Sequence, residues 1–173
     1  MTTQEPPKRI AGIAAREVTR EEVTPVKVLR RFRVVFNAVR THFRQMEKEV
    51  GLGGAQVWAL SIIADNPGIG MSGIAQAMDI HQSTASNLVK ALQKKELIAV
   101  EKAPDDRRNV RIKVVAPGRK LLSKVQGPFA GVLPDALQEL EPAVLKRLDQ
   151  DLKRLIEVLD ADESAAEIPL ANI

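Results

Sequence analysis

The chain contains no cysteine and no tyrosine, has only two histidines, and draws 3% of its 173 residues from the aromatic types. Without cysteine there can be no disulfide framework and no thiol switch. The histidines, His42 and His81, have no nearby carboxylate or second histidine at metal-ligand spacing, so no metal is expected. No nucleophile–base pattern, phosphate-cradling loop or dinucleotide fingerprint occurs; Gly51 to Gly54 is followed by no lysine. Asp105 and Asp106 adjoin in a turn-rich stretch and read as turn formers rather than a paired acid and base. An enzyme is therefore not expected, nor a cofactor. No apolar run approaches the ~18 residues of a membrane span, and the N-terminus lacks a hydrophobic signal core. The expectation is a soluble, cytoplasmic protein with no membrane partner.

What is present is helical periodicity. From Gln82 to about Lys95, Ala85, Leu88, Val89 and Leu92 recur at i, i+3, i+4 and i+7 and make one apolar stripe that must face a core. Ser83, Ser86, Asn87, Lys90 and Lys94 repeat on the opposite face, with Gln82 and Thr84 at the start. Short hydroxyls and amides at a helix N-terminus can bond phosphate oxygens or base edges, and the positive dipole end favours the same anions. Asn and Gln can pair with adenine, while lysines add phosphate attraction. Most polar stripes are solvated helix faces, so the neighbouring segments decide the reading.

Upstream, Gly70 to Met78 reads as a short helix with Ile74, Ala75 and Met78 inward, and Asp79-Ile80-His81 supplies a turn with its own buried anchor. Two helices so close make helix-turn-helix spacing. Downstream, Leu97 to Lys102 and Val110 to Val115 are rich in β-branched residues and read as the arms of a hairpin. Ala103 to Asn109 forms its turn and places Arg107 and Arg108 at the tip. Arginine suits a narrow minor groove, whose strong negative potential accepts a weakly hydrated planar cation.

The succession Met71-Ser72-Gly73-Ile74-Ala75-Gln76-Ala77-Met78, then Gln82-Ser83-Thr84-Ala85-Ser86-Asn87-Leu88-Val89, then Asp106-Arg107-Arg108-Asn109-Val110-Arg111 with Gly118 beyond, resembles the MarR family of bacterial transcription regulators. Asp106, Arg108 and Arg111 reproduce that family's D-x-R-x-x-R wing pattern, and the resemblance covers roughly Val26 to Asp160. It implies a homodimer whose recognition helices enter successive major grooves of a pseudo-palindromic operator in double-stranded DNA, while each wing probes a minor groove. Gln82, Ser83, Thr84, Ser86, Asn87 and Lys90 would then face the groove, and Asp106 would steady Arg108. Three positions depart from the pattern: His81 replaces a Ser or Asp cap, Glu96 a terminating Gly, and Val115 a Thr. Lacking cysteine, the chain cannot use the peroxide sensing known in this family. The resemblance also implies a small aromatic or anionic effector, for which Phe36, Val39, Arg40, His42 and Trp58 could line a cleft, with Arg40 or His42 as the positive group.

The fold expected is mainly α (α+β): a winged helix-turn-helix with a small β-hairpin, flanked by long N- and C-terminal helices that form a dimerisation layer. Thr24-Pro25 is a good helix start, and Leu29, Phe32, Phe36, Val39, Phe43, Met46 and Val50 step by 3 and 4 until Gly51. Glu141-Pro142 opens a second long helix carrying Leu145, Leu148, Leu152, Leu155 and Leu159. Between them Pro117 to about Leu140 is apolar, with a bend at Gly127-Pro128. Such a seam suits a two-fold interface, and an intramolecular bundle is the alternative. The organisation expected is a mobile arm or short extra helix at 1–23, dimerisation helices at 24–51 and 117–160, the winged domain at 52–116, and a frayed tail at 161–173. Charge is asymmetric along the chain: residues 1–50 carry 11 basic and 6 acidic groups, 72–115 carry 8 and 5, and 116–173 carry 7 and 10. A basic middle and an acidic end suit a molecule with one side toward phosphates. The rival function is a winged helix used as a protein-interaction module. Such an interface favours aromatic anchors, and none lies between Met71 and Gly118. A repressor is expected because occupancy of a promoter suffices to block it.

Overall fold

A computed structural model describes residues 22–102 and 110–172. Helix α1 (Pro25–Val50) begins where the Thr24 hydroxyl accepts the Lys27 N–H at 3.3 Å, and it ends at Gly51, whose φ of 70° only glycine adopts without strain. Helix α2 (Gly54–Asp65) is apolar on nearly every side and runs through the centre of the core. Its Val57, Leu60 and Ile63 meet Ile74 of α3 (Met71–Met78), Leu92 of α4 (Gln82–Lys94) and Ile112 of the hairpin, all essentially inaccessible to solvent. Ser61, the buried polar side chain of this helix, donates its hydroxyl to the Trp58 carbonyl at 2.8 Å.

The turn between α3 and α4 is set by Asp79, which takes the left-handed conformation at φ 52° so that the Ile80 N–H reaches back to the Ala75 carbonyl at 3.0 Å. This six-to-one bond ends α3 and drops the Ile80 side chain into the core, as expected of the buried anchor. Helix α4 ends the same way. Glu96 has φ 57°, and the Leu97 N–H donates to the Leu92 carbonyl at 3.1 Å. Strands β1 (Ile98–Lys102) and β2 (Val110–Val114) then pair antiparallel from Ile98 opposite Val114 to Lys102 opposite Val110. A third edge, not foreseen, comes from Ile69: the Ile112 N–H donates to its carbonyl at 3.0 Å, tying the segment before α3 to the wing.

Helix α5 (Ala116–Leu122) starts hard against the corner between α4 and β1. A methyl group on Gly118 would run into the Leu97 carbonyl and come within 2.7 Å of Val114 Cγ1, so only glycine fits. The bent helix expected from Pro117 to about Leu140 is instead two short helices, α5 and α6 (Val132–Gln138), with irregular chain between. Pro128 has no N–H to donate, and Gly131 takes φ 101° where a side chain would strike the Phe43 ring, so helix cannot pass through.

Helix α7 (Pro142–Leu159) carries an apolar stripe, yet none of its 18 residues is buried within one chain. The face of α1 before Val39 is similar, with Phe36 56% exposed and stacked at 6.3 Å on Phe32. The last dozen residues are not the frayed tail expected. They form two 3₁₀ turns, Glu163–Glu167 and Leu170–Asn172, and return across α1 and α2. Asp162 caps the first turn by accepting the Ser164 N–H at 2.9 Å, and Ala171 packs against the core. Pro169 and Ala171 give this segment the apolar anchorage that its acidic composition conceals.

Candidate nucleic-acid interface and adjoining cleft

The apolar stripe of α4 is spent on the core, since Ala85, Leu88, Val89 and Leu92 are all buried. The helical period therefore turns Gln82, Ser83, Asn87, Lys90 and Lys94 to solvent, with Thr84 and Ser86 half-buried at the edges of that face. No side chain caps the first turn, and no acidic residue lies within it. The N-terminal N–H groups of the helix therefore have no side-chain acceptor, and the anion nearest to them is Glu167, on the His81 side chain just before the helix. The lysines follow at the far end, where cations also suit the dipole. Arg111 is exposed on β2, and Lys113 beside it is engaged with Glu101 at 3.1 Å across the strands. Asp106, Arg107 and Arg108 lie outside the described residues. The polar face of α4 and the outer face of the hairpin belong to one rigid unit, because both are packed on α2.

The five residues expected to line an effector cleft are not all in one place. Phe36, Val39 and Arg40 line an open cleft of about 700 Å³ between α1 and the chain around Gly53 and Leu170. Trp58, with Val39 at the shared wall, instead borders a smaller cavity of about 300 Å³ that reaches Asp79 and Ile80 in the turn before α4. His42 lines neither: it lies near Pro128, with Nε2 2.9 Å from that carbonyl, and its ring meets Phe43 edge-on. The cleft also holds charged residues that the sequence reading does not single out, Arg33, Arg44 and Glu47. The signal was there, since Arg33, Arg40 and Arg44 stand at i, i+7 and i+11, on one side of α1. Together with Phe36 and Phe43 they offer three guanidinium groups and two rings, against the single carboxylate of Glu47, a set suited to an aromatic anion. Among the described residues no group of His, Cys, Asp or Glu is placed to hold a metal, and no helix is long and apolar enough to cross a membrane.

Against known proteins, the MarR family model matches residues 50–109, which run from the end of α1 through α4 to the second strand. A protein of Thauera aromatica named as a transcriptional regulatory protein for the hcr operon is 31% identical over 117 residues, spanning 61% of this chain and 70% of the relative. Among solved structures, the Staphylococcus aureus MepR–DNA complex aligns at a TM-score of 0.54 and 20% identity, over 80% of this chain and 99% of that one. A MepR-like protein complexed with pseudoligands aligns equally well, at 0.54 and 20%, over 78% and 92%. At such identities the two structures speak for the fold, and the sequence matches speak for descent.

Proposed function

This chain belongs to the MarR family of transcription regulators, which are not enzymes, and from that footing we propose that it is a homodimeric repressor occupying a pseudo-palindromic operator. The observation that carries the reading is the state of α4: its apolar residues are wholly committed to the core, while its N-terminus and polar face are left uncapped and exposed beside the hairpin. Ser83 and Thr84 contact phosphate at the helix start, and Gln82, Ser86 and Asn87 face base edges. Lys90 and Lys94 add backbone attraction, with Arg111, Arg107 and Arg108 on the wing, the last steadied by Asp106. Two such helices must be held about one DNA turn apart, ~34 Å, which requires a second copy. The unburied apolar faces of α1 and α7 supply the surface for it.

The cleft of Arg33, Arg40, Arg44 and Phe36 takes the small aromatic anion whose binding releases the operator, and the protein works in the cytoplasm. Its position between α1 and the winged domain supports the coupling, because a ligand there bears on both layers. The test is selection of bound fragments from genomic DNA, followed by salt titration of the best. Paired half-sites one helical turn apart are expected, with log affinity falling against log salt at a slope of ~0.9 per phosphate neutralised. Fragments without paired half-sites, or affinity indifferent to salt, would refute the assignment. Titration of aromatic acids should weaken operator binding saturably, and Arg40→Ala should blunt that effect.

A further inference from the structure

The C-terminal segment is placed where it can govern the reading helix. Residues 160–172 carry four acidic side chains, Asp160, Asp162, Glu163 and Glu167, and no basic one. After leaving α7 they cross the molecule and make two attachments. One is apolar: Pro169 is buried, and Ala171 sits so close to α2 that a methyl group on Gly54 would stand 3.0 Å from its Cβ. The other is polar. Glu167 Oε2 lies 2.7 Å from Nε2 of His81, the residue that immediately precedes α4. Between the attachments, Ala166 and Ile168 roof the smaller cavity over Trp58 and the α3–α4 turn.

We propose that this segment is an autoinhibitory strap: docked, it holds a carboxylate beside the N-terminus of α4, where a DNA phosphate would otherwise bind. The proposal rests on α4 being the reading helix. The physical basis is competition between anions for one positive helix end. A phosphate approaching Gln82 and Ser83 is repelled by the Glu167 charge held on the neighbouring His81, so it binds weakly or displaces the strap. His81 is the latch, because its Nε2 donates to Glu167 whether the ring is neutral or protonated. The pair is well exposed on both sides, so the latch is a weak one that DNA can open.

The test is duplex-binding anisotropy with the full chain in about 0.1 M salt. Glu167→Gln should tighten binding roughly two- to fivefold, the range expected for an anion at an exposed helix N-terminus. Glu163→Gln removes the same charge from the same segment but from a side chain that does not reach His81, and should change affinity little. In a His81→Asn background Glu167→Gln should give no further gain. Amide exchange over 163–172 should quicken when DNA is bound. If Glu167→Gln and Glu163→Gln behave alike, or if Glu167→Gln weakens binding, there is no autoinhibition by this strap. Wild-type protein that binds no duplex at all would instead overturn the reading of α4, a distinguishable result.

Discussion

Replacing Glu96 by glycine should stabilise the protein, and the structure allows the size to be worked out. Glu96 closes α4 at φ 57°, in the left-handed region that costs a side-chain-bearing residue roughly 1–2 kcal/mol. Glycine removes that strain but returns about 0.4–1 kcal/mol through the greater freedom of the unfolded chain. A second contribution comes from charge, because a carboxylate at the negative end of a helix dipole is unfavourable by roughly 0.3–1 kcal/mol. The net gain for Glu96→Gly is therefore about 1 kcal/mol, or a rise in Tm of roughly 2–4 °C for a chain of this length. Glu96→Gln keeps the strain and loses the charge, so the difference between the two variants isolates the backbone term. Urea denaturation measures both, at one protomer concentration because assembly shifts apparent stability. If Glu96→Gly is no more stable than Glu96→Gln, the left-handed strain is not being stored at this corner.

Gly118→Ala should destabilise by about 1–3 kcal/mol in the same assay, since the added methyl meets the Leu97 backbone, which cannot yield as a side chain would; an unchanged midpoint would mean that α5 does not pack as described. On the DNA side, Arg108→Ala should weaken operator binding by ~1–3 kcal/mol, and Asn87→Ala should relax base preference more than it lowers non-specific affinity. Were Asn87→Ala to weaken all sequences alike in competition binding, Asn87 would be a phosphate contact. Asp162 should titrate below the ordinary aspartate range, because the Ser164 hydroxyl and then the Ser164 N–H donate to its charged form. A depressed folded pKa means that the cap contributes fully above the unfolded value and is lost as pH falls through the folded one. Carbon NMR titration should show this, and Ser164→Ala should bring the pKa back toward its usual place.

Which parts were legible in the sequence follows from how far apart the interacting residues lie. The α4 face could be read from thirteen consecutive residues, because a helix buried on one side writes its orientation as a 3.6-residue period. The Ile80 anchor and the Thr24 cap were legible for the same reason, each being a contact within one turn. Helix α2 is legible as a helix from about Ala55 to Asp65, but, apolar nearly all round, it has no preferred face, so its central place in the core cannot be told from its pattern. The Ile69 edge left no trace because a single bridging residue has no period. Long-range meetings were also invisible. Arg33 faces Leu170 across the cleft, and His42 reaches Pro128, from segments separated by much of the chain. The docking of the C-terminal segment is hidden for a related reason, since four acids in thirteen residues suggest a solvated end, while its anchorage depends on two small apolar side chains.

The winged unit closes its own core, whereas α7 does not, and this difference predicts how the molecule should respond to dilution. Leu159 ends the α7 stripe 65% exposed. Fully burying a leucine is worth ~1.5–3 kcal/mol, so covering what remains is worth roughly 1–2 kcal/mol per copy and about 2–4 kcal/mol in a two-fold pair, where every residue counts twice. At ~1.4 kcal/mol per tenfold, Leu159→Lys should weaken self-association at least thirtyfold. Sedimentation equilibrium across protomer concentrations reads this directly, and circular dichroism on the same samples reports whether α7 loses helix as the pair separates. Because α2, α3, α4 and the hairpin share one closed core, their packing should survive that separation. Wild-type protein that stays monomeric at high concentration with α7 intact would show that the stripe has no partner copy, and the operator geometry would need another explanation.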